Sequence, residues 1–302
     1  MYKISLDNLN SLFSAIAEKQ GLYLPVDTEA GAKFERWEEG KELSDRLNTV
    51  RSPKDFFFPQ TENLMDFKVE GKSVEIIDTR SECEDFVIFG IRGCDVKSFE
   101  VLDRVFLADP IDTYYENRRK HSTIVSMACT RPVETCFCHT FGIDASEPEG
   151  DVVCYKTEDT LYLDAKTDKG VALLDGISGV LSESDGAAVD EQKKMIAERM
   201  EKLPLANLSA DKFGADKTKE FFDRPEWSEL SQSCLGCGTC TFVCPTCQCY
   251  DIKDFNTGHG IKRFRCWDSC MYSDFTKMSA GQPRLTQLER FRQRFMHKLV
   301  YY

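Results

Sequence analysis

Apolar residues recur along this chain with two different periods, and each change of period marks an element. Leu6, Leu9, Leu12, Phe13 and Ile16 fall three and four residues apart, which predicts a helix with one face packed on a first domain. Phe86-Val-Ile-Phe-Gly-Ile91 is an unbroken apolar run and reads as a buried strand. Asp95 then stands where it can cap a helix whose apolar positions are Val96, Phe99, Val101, Leu102, Val105 and Phe106. Residues 122–127 read as the next strand, completing a strand–helix–strand unit. Residues 151–155 and 160–163 pattern as a hairpin, and the Gly-, Ser- and Asp-rich stretch 165–188 as mostly loop. A charged amphipathic helix follows over about 188–203 and stops before Pro204. Residues 204–231 form a polar connection holding a short helix over 217–222. Phe56, Phe57 and Phe58 read as buried core. The fold class expected is a mixed α/β (or α+β) N-terminal domain over 1–225 with a βαβ unit, then a smaller, ferredoxin-like cysteine-rich domain over 226–302.

Composition narrows the function. The 302 residues carry 39 basic and 51 acidic side chains, a formal charge of −12, which opposes nucleic-acid binding. The apolar runs fall far short of the roughly twenty residues a membrane helix needs. The start, Met1-Tyr-Lys-Ile-Ser, has no signal-peptide pattern. Fourteen cysteines in such a chain fit a reducing cytoplasm and metal ligation rather than disulfides.

The cysteines are not evenly spread. Residues 234–249 read Cys-Leu-Gly-Cys-Gly-Thr-Cys-Thr-Phe-Val-Cys-Pro-Thr-Cys-Gln-Cys. The first four, Cys234, Cys237, Cys240 and Cys244, follow C-x2-C-x2-C-x3-C-P, the loop that wraps a [4Fe–4S] cube. Two intervening residues let a tight loop aim successive sulfurs at different irons. Gly236 and Gly238 can take positive φ and turn backbone N–H groups toward the cluster. In ferredoxin-type loops the fourth cysteine serves a second cluster, which places Cys234, Cys237 and Cys240 on one cube and Cys244 on another. A zinc knot shares the C-x2-C spacing but has no use for thiols at +6 and +10 before a proline. Cys247, Cys249 and Cys270 are further candidate ligands, and Cys266 and Cys270, at i and i+4, can share a helical face.

A second set lies upstream. Sites in open α/β sheets gather beyond the carboxyl ends of strands, and Cys94 and Cys129 follow the two predicted strands. With Cys136 and Cys138 they can converge as a four-thiolate site, or stand as inert small core residues. Cys83 and Cys154 read as structural thiols. His139, beside Cys138, reads as an ordinary histidine or a neighbour of that site. The basic segment 284–298 is either a solvated helix face or a docking surface or countercharge for reduced clusters. Gly90-Ile-Arg-Gly93 lacks the third glycine of a dinucleotide loop, and no catalytic triad or carboxylate pair can be singled out.

These motifs in their order carry a resemblance. The Cys234 loop with Cys-Pro-Thr-Cys-Gln-Cys, then Cys266-Trp-Asp-Ser-Cys270 and Arg290-Phe-Arg-Gln-Arg-Phe-Met-His-Lys298, resemble the electron-transfer subunit of anaerobic sulfite reductase and the beta subunit of cytosolic sulfhydrogenases. Upstream, Phe57-Phe-Pro-Gln-Thr-Glu-Asn63, Ile91-Arg-Gly-Cys-Asp95, Leu102-Asp-Arg-Val-Phe106 and Thr135-Cys-Phe-Cys138 are similar to the same family, so the likeness spans about residues 50–300. It implies two or three [4Fe–4S] clusters, with ligands matching Cys94, Cys129, Cys136 and Cys138 as well as the C-terminal set. It implies a relay between a flavin subunit, carrying FAD and oxidising NAD(P)H, and a catalytic subunit. The catalytic subunit holds siroheme for sulfite, the first expectation, or nickel–iron for hydrogen, the alternative. A stand-alone cluster-based reductase is the rival from another class. Members of the family commonly continue past the His-Lys motif into a second C-x2-C-x2-C-x3-C-P loop, which implies that the cluster domain runs beyond Tyr302 and completes both cubes. Otherwise the remaining ligands come from Cys247, Cys249, Cys266 and Cys270.

Overall fold

The computed structural model describes residues 1–80 and 83–301. Its strands, in chain order, are β1 (Tyr2–Ser5), β2 (Gly21–Thr28), β3 (Gly31–Arg36), β4 (Thr61–Glu70), β5 (Ser73–Asp78), β6 (Phe86–Arg92), β7 (Ser122–Met127), β8 (Val152–Lys156), β9 (Thr160–Ala165), β10 (Ser182–Glu183), β11 (Tyr250–Asn256) and β12 (Ile261–Trp267). Its α-helices are α1 (Leu9–Ala17), α2 (Gly93–Phe106), α3 (Thr113–His121), α4 (Asp168–Gly176), α5 (Ala187–Glu201), α6 (Thr218–Phe222), α7 (Glu226–Leu230), α8 (Thr239–Phe242) and α9 (Gln287–Leu299). The chain divides into two compact units. One is Met1–Phe57 with Arg80–Leu208; the other is Phe58–Thr79 with the chain from Ser209 onward.

The first unit is built on an eight-stranded mixed sheet, ordered β10-β1-β9-β8-β7-β6-β2-β3. Its centre, β2, β6, β7 and β8, is parallel. Every residue of β7 and all of β6 except Arg92 are buried, as strands covered on both faces require. Leu12, Phe13 and Ile16 of α1 pack into one core with Leu22, Leu24 and Phe89, so the helix read from the first apolar periodicity is in place. The strand–helix–strand unit is also as expected, with two corrections. Arg92, in extended conformation, stands at the N-cap of α2, and Asp95 lies within the first turn. Val101 and Val105 are exposed, because the buried stripe runs through Val96, Phe99, Leu102 and Phe106. Phe57 packs edge-on against Phe99 at 4.7 Å between ring centres.

The stretch 165–188, expected to be mostly loop, contains α4. Its composition hid an apolar pair, Leu173 and Leu174, that joins the same core as α1. Thr167 caps the helix by accepting from the Gly170 N–H at 3.3 Å. Gly170 is itself a packing requirement: a Cβ there would lie 1.9 Å from the carbonyl oxygen of Asp151.

The second unit rests on a four-stranded antiparallel sheet, ordered β11-β12-β4-β5. A single cut near residue 225 does not describe this division. The hairpin of β4 and β5 leaves the N-terminal half of the sequence to pair with β12. Residues 262–271, where a helical face was expected for Cys266 and Cys270, run instead as β12 and the loop after it. Cys266 pairs across the sheet with Thr61 and Asp251. Ladders on both sides, to β11 and to β4, hold Ile261–Trp267 as a strand.

One buried ion pair holds β4 to β12. Arg265 Nε donates to Glu62 Oε2 at 2.7 Å, and each side chain is 3% exposed. The Trp267 indole donates to the Phe58 carbonyl at 3.1 Å. Together they fix the strand end from which the chain runs on to Cys270. Among the described residues no helix is long and apolar enough to cross a membrane. Glu62→Ala takes the carboxylate away from the buried Arg265 guanidinium, and the expected cost is about 3–5 kcal/mol. A denaturant titration followed by tryptophan fluorescence measures it.

Candidate metal centres

Two sets of thiols are gathered by different means, one in each unit. In the second unit the cysteine loop is shaped by its glycines. Gly236 and Gly238 have φ of 67° and 74°, a region other residues rarely enter. A Cβ on Gly238 would also lie 2.6 Å from the Tyr272 ring. Tyr272 needs that approach, because its hydroxyl donates to the Cys237 carbonyl at 3.2 Å. Cys237 itself is exposed, and the hydroxyl of Thr239 holds its thiol below the usual range. The short helix α8 then carries Cys240 toward Cys244.

One face of α9 lies along this loop. A capping box between Thr286 and Glu289 starts the helix. In the first turn Gln287 Nε2 donates to Cys234 Sγ at 3.2 Å. Seven residues on, Arg294 Nη1 donates to Cys247 Sγ at 3.3 Å, and Nη2 to the Cys240 carbonyl at 2.8 Å. In the last turn Lys298 Nζ donates to Thr246 Oγ1 at 2.8 Å, and that hydroxyl lies 3.4 Å from Cys244 Sγ. Burial works against the Arg294 and Lys298 charges. The sulfurs of Cys247 and Cys244 more than compensate, and both pKa values are raised. Two cations of the basic segment, Arg294 and Lys298, thus lie against the thiol loop. Arg292, in contrast, points away and lies 3.6 Å from the Phe222 ring centre.

The thiols are also paired with one another. Cys244 is held low by a hydrogen bond from Cys247, aided by the Lys298 charge, while Cys247 is pushed up by the same bond. Cys249 and Cys270 form a second pair, with Cys249 the lower of the two. A cavity of about 320 Å³ opens beside Cys249 and Cys270 and is also lined by Arg284 and His297. Cys266 lies on β12 outside this cavity's lining.

In the first unit the sheet gathers the thiols. Arg92 and Met127 are register neighbours at the ends of parallel β6 and β7, and Cys94 and Cys129 each follow two residues later. Both therefore leave the same sheet edge, and Cys136 and Cys138 return to it. Burial pushes the Cys94 thiol up to about 12, and the nearby Asp95, Cys138 and Cys129 add to it. Burial likewise raises Cys129, with Cys136 and Cys138 adding and Arg92 opposing. Arg92 is anchored by donating to the Ala128 carbonyl at 3.2 Å and the Leu47 carbonyl at 3.3 Å. Both ring nitrogens of His139 are buried without a hydrogen-bond partner. Cys154 is fully buried in the core, as a structural thiol should be.

Among the described residues no three His, Cys, Asp or Glu side chains converge closely enough to hold a single metal ion. The ligands of a cube bind different irons and so stand further apart than the ligands of one metal ion. The donor sets fit a cluster in their chemistry: grouped thiols, glycine-shaped backbone, and fixed cations facing the sulfurs. Sequence reasoning found the thiols but not Gln287, Arg294, Lys298 or Arg92 as their individual neighbours. The signal available was the spacing 287, 294 and 298, which falls on one helical face.

Comparison with known proteins agrees with this chemistry. Residues 233–302 match the family described as "4Fe-4S dicluster domain". The chain is 31% identical over 301 residues to sulfhydrogenase 2 subunit beta of Pyrococcus furiosus, covering 98% of this chain and 87% of the relative. No solved structure matches it. Identity at that level along nearly the whole length, with the dicluster match, shows that the chain belongs to the sulfhydrogenase beta-subunit family of iron–sulfur electron-transfer proteins.

Proposed function

We propose that this protein is the internal relay of a cytoplasmic oxidoreductase complex, standing between a flavin subunit that oxidises NAD(P)H and a catalytic subunit. The observation that carries the reading is the loop of six cysteines lying along the polar and cationic face of α9. Cys234, Cys237 and Cys240 would hold one cluster. Cys244, with Cys247, Cys249 and Cys270 as candidate partners, would serve another. Cys94, Cys129, Cys136 and Cys138 are positioned to hold a third beside Arg92. Bound there, [4Fe–4S] clusters supply one-electron carriers, which lets a two-electron flavin feed a one-electron chain. The chain's own residues bind and orient these groups, and Tyr272 and the two glycines keep the loop in shape. Arg92, Arg294 and Lys298 balance thiolate charge in a chain whose net charge is already −12. No bond chemistry on a substrate is assigned to this subunit.

The similarity to a sulfhydrogenase beta subunit favours a nickel–iron catalytic partner. The motif resemblance to the electron-transfer subunit of anaerobic sulfite reductase supports a siroheme partner as the second reading. The two separate cleanly. The complex purified without oxygen is expected to contain nickel, measured by elemental analysis. A siroheme absorption spectrum without nickel would establish the second reading instead.

The relay itself has its own test. Anaerobically isolated protein should contain about eight or more irons per chain, with matching acid-labile sulfide. Cys237→Ser should lose part of that iron and part of the EPR signal of the reduced protein, while circular dichroism shows the first unit still folded. Unchanged iron in this variant would overturn the ligand assignment.

A further inference from the structure

The side chains that α9 turns toward the cysteine loop are not equivalent along its length. From Gln287 to Lys298 the helix rises about 16 Å at about 1.5 Å per residue. At its start the side chain facing a sulfur is a neutral amide: Gln287 donates to Cys234. Farther on it is a guanidinium against Cys247, with its second nitrogen tied to the Cys240 carbonyl. At its end it is an ammonium held by Thr246 beside Cys244. The remaining cation near the start, Arg290, donates to the carbonyls of Arg284 and Leu285 and to Gln287 Oε1. Its guanidinium is spent on backbone and amide rather than on sulfur.

Taking up one electron makes a four-thiolate cube more negative by one charge and breaks no bond. A cation fixed nearby stabilises the reduced form more than the oxidised form, by an amount that falls with distance. A neutral hydrogen-bond donor does so less, because charge-assisted bonds are roughly twice as strong. Arg294 and Lys298 are partly buried, so solvent and salt screen them less than surface charges.

Resting on the relay reading above, we infer that α9 sets the order in which the two C-terminal clusters take electrons. Arg294 and Lys298 give the higher potential to the cluster held through Cys244 and Cys247. The cluster held through Cys234, Cys237 and Cys240 meets the neutral Gln287 at Cys234 and shares only Arg294, at the Cys240 carbonyl, so without a lysine of its own it stays lower. An electron entering this unit therefore comes to rest at the Lys298 end of the helix. Arg294 and Lys298 are positioning residues here: they act on the cluster through its ligands.

The test is a redox titration of the complete protein, followed by EPR and poised with dithionite and mediator dyes. Iron and sulfide are counted in each variant. Replacing Lys298 with Arg, Gln and Glu should leave the iron content intact and order the midpoint of the first-reduced cluster by charge. Arg should stay near the original, Gln should fall, and Glu should fall further. Loss of the positive charge is expected to weaken that reduction about tenfold, which is about 59 mV for a one-electron couple. Arg294→Gln, which touches both ligand sets, should lower both midpoints. Gln287→Lys should raise the midpoint of the second cluster and narrow the gap. Should Arg294→Gln shed iron, the Lys298 series decides. Midpoints that do not move with charge, in variants retaining full iron, overturn the role of α9 and leave the relay standing. A wild-type protein without iron–sulfur clusters defeats the relay reading itself.

Discussion

Sulfur ligands must be negative to bind iron, and negative groups resist being gathered. Several thiolates brought into a partly buried space repel one another and lose solvation, and each effect alone favours the protonated, non-binding form. On the relay reading proposed above, both thiol sets face this constraint. Burial drives the pKa of Cys94, Cys129 and Cys138 upward. The opposing influence is a fixed cation in each unit: Arg92 in one, Arg294 with Lys298 in the other. Each cation offsets part of the cost of gathering the sulfurs.

The cations are held as firmly as the thiols. Arg92 is fastened to the Ala128 and Leu47 carbonyls and Arg294 to the Cys240 carbonyl, so each guanidinium has lost its freedom before any ligand arrives. Arginine suits this role, since its planar fork can bond a carbonyl with one nitrogen and present another to sulfur. Arg294 does both. A flexible surface lysine would swing out into water and lose most of its effect on the sulfurs. Lys298 escapes that outcome because Thr246 accepts from it. For an electron carrier this rigidity matters: a charge already in place need not move when the electron arrives.

Local features of this design were legible in the sequence, and long-range ones were not. The C-x2-C-x2-C-x3-C-P spacing, the buried runs of β6 and β7, and the periodicity of α1 each depend on neighbouring residues, and each appears as read. The pairing of β4 with β12 joins residues far apart in the chain, and nothing near Thr61 announces its partner. The same distance explains Cys266 and Cys270. Their i, i+4 spacing was compatible with a helix, but Ile261 through Trp267 had a strand waiting on either side. α4 was missed for a local reason, because Leu173 and Leu174 were outweighed by the glycines and aspartates around them. In the basic segment the charges were visible. Which of them face sulfur, and which, like Arg292, cover an aromatic ring, depends on how α9 is rotated, and that is set by packing.

The two thiol sets also show two ways of fixing an anionic site. In the first unit the sheet does the work: adjacent parallel strands end in register at Arg92 and Met127, so Cys94 and Cys129 emerge together with little further specification. In the second, the loop has no such frame. Its conformation depends on two left-handed glycines, one tyrosine hydroxyl and a helix contributed from well downstream. A site on strand ends draws its rigidity from a core of Phe89, Val125 and Val152, and surface changes touch it little. A site laid along one helix can be retuned by single substitutions on that helix, leaving the fold alone. On the relay reading, adjustment of electron transfer in this chain falls to the helix face at 287, 294 and 298, where a substitution changes the charge facing sulfur without removing a thiol.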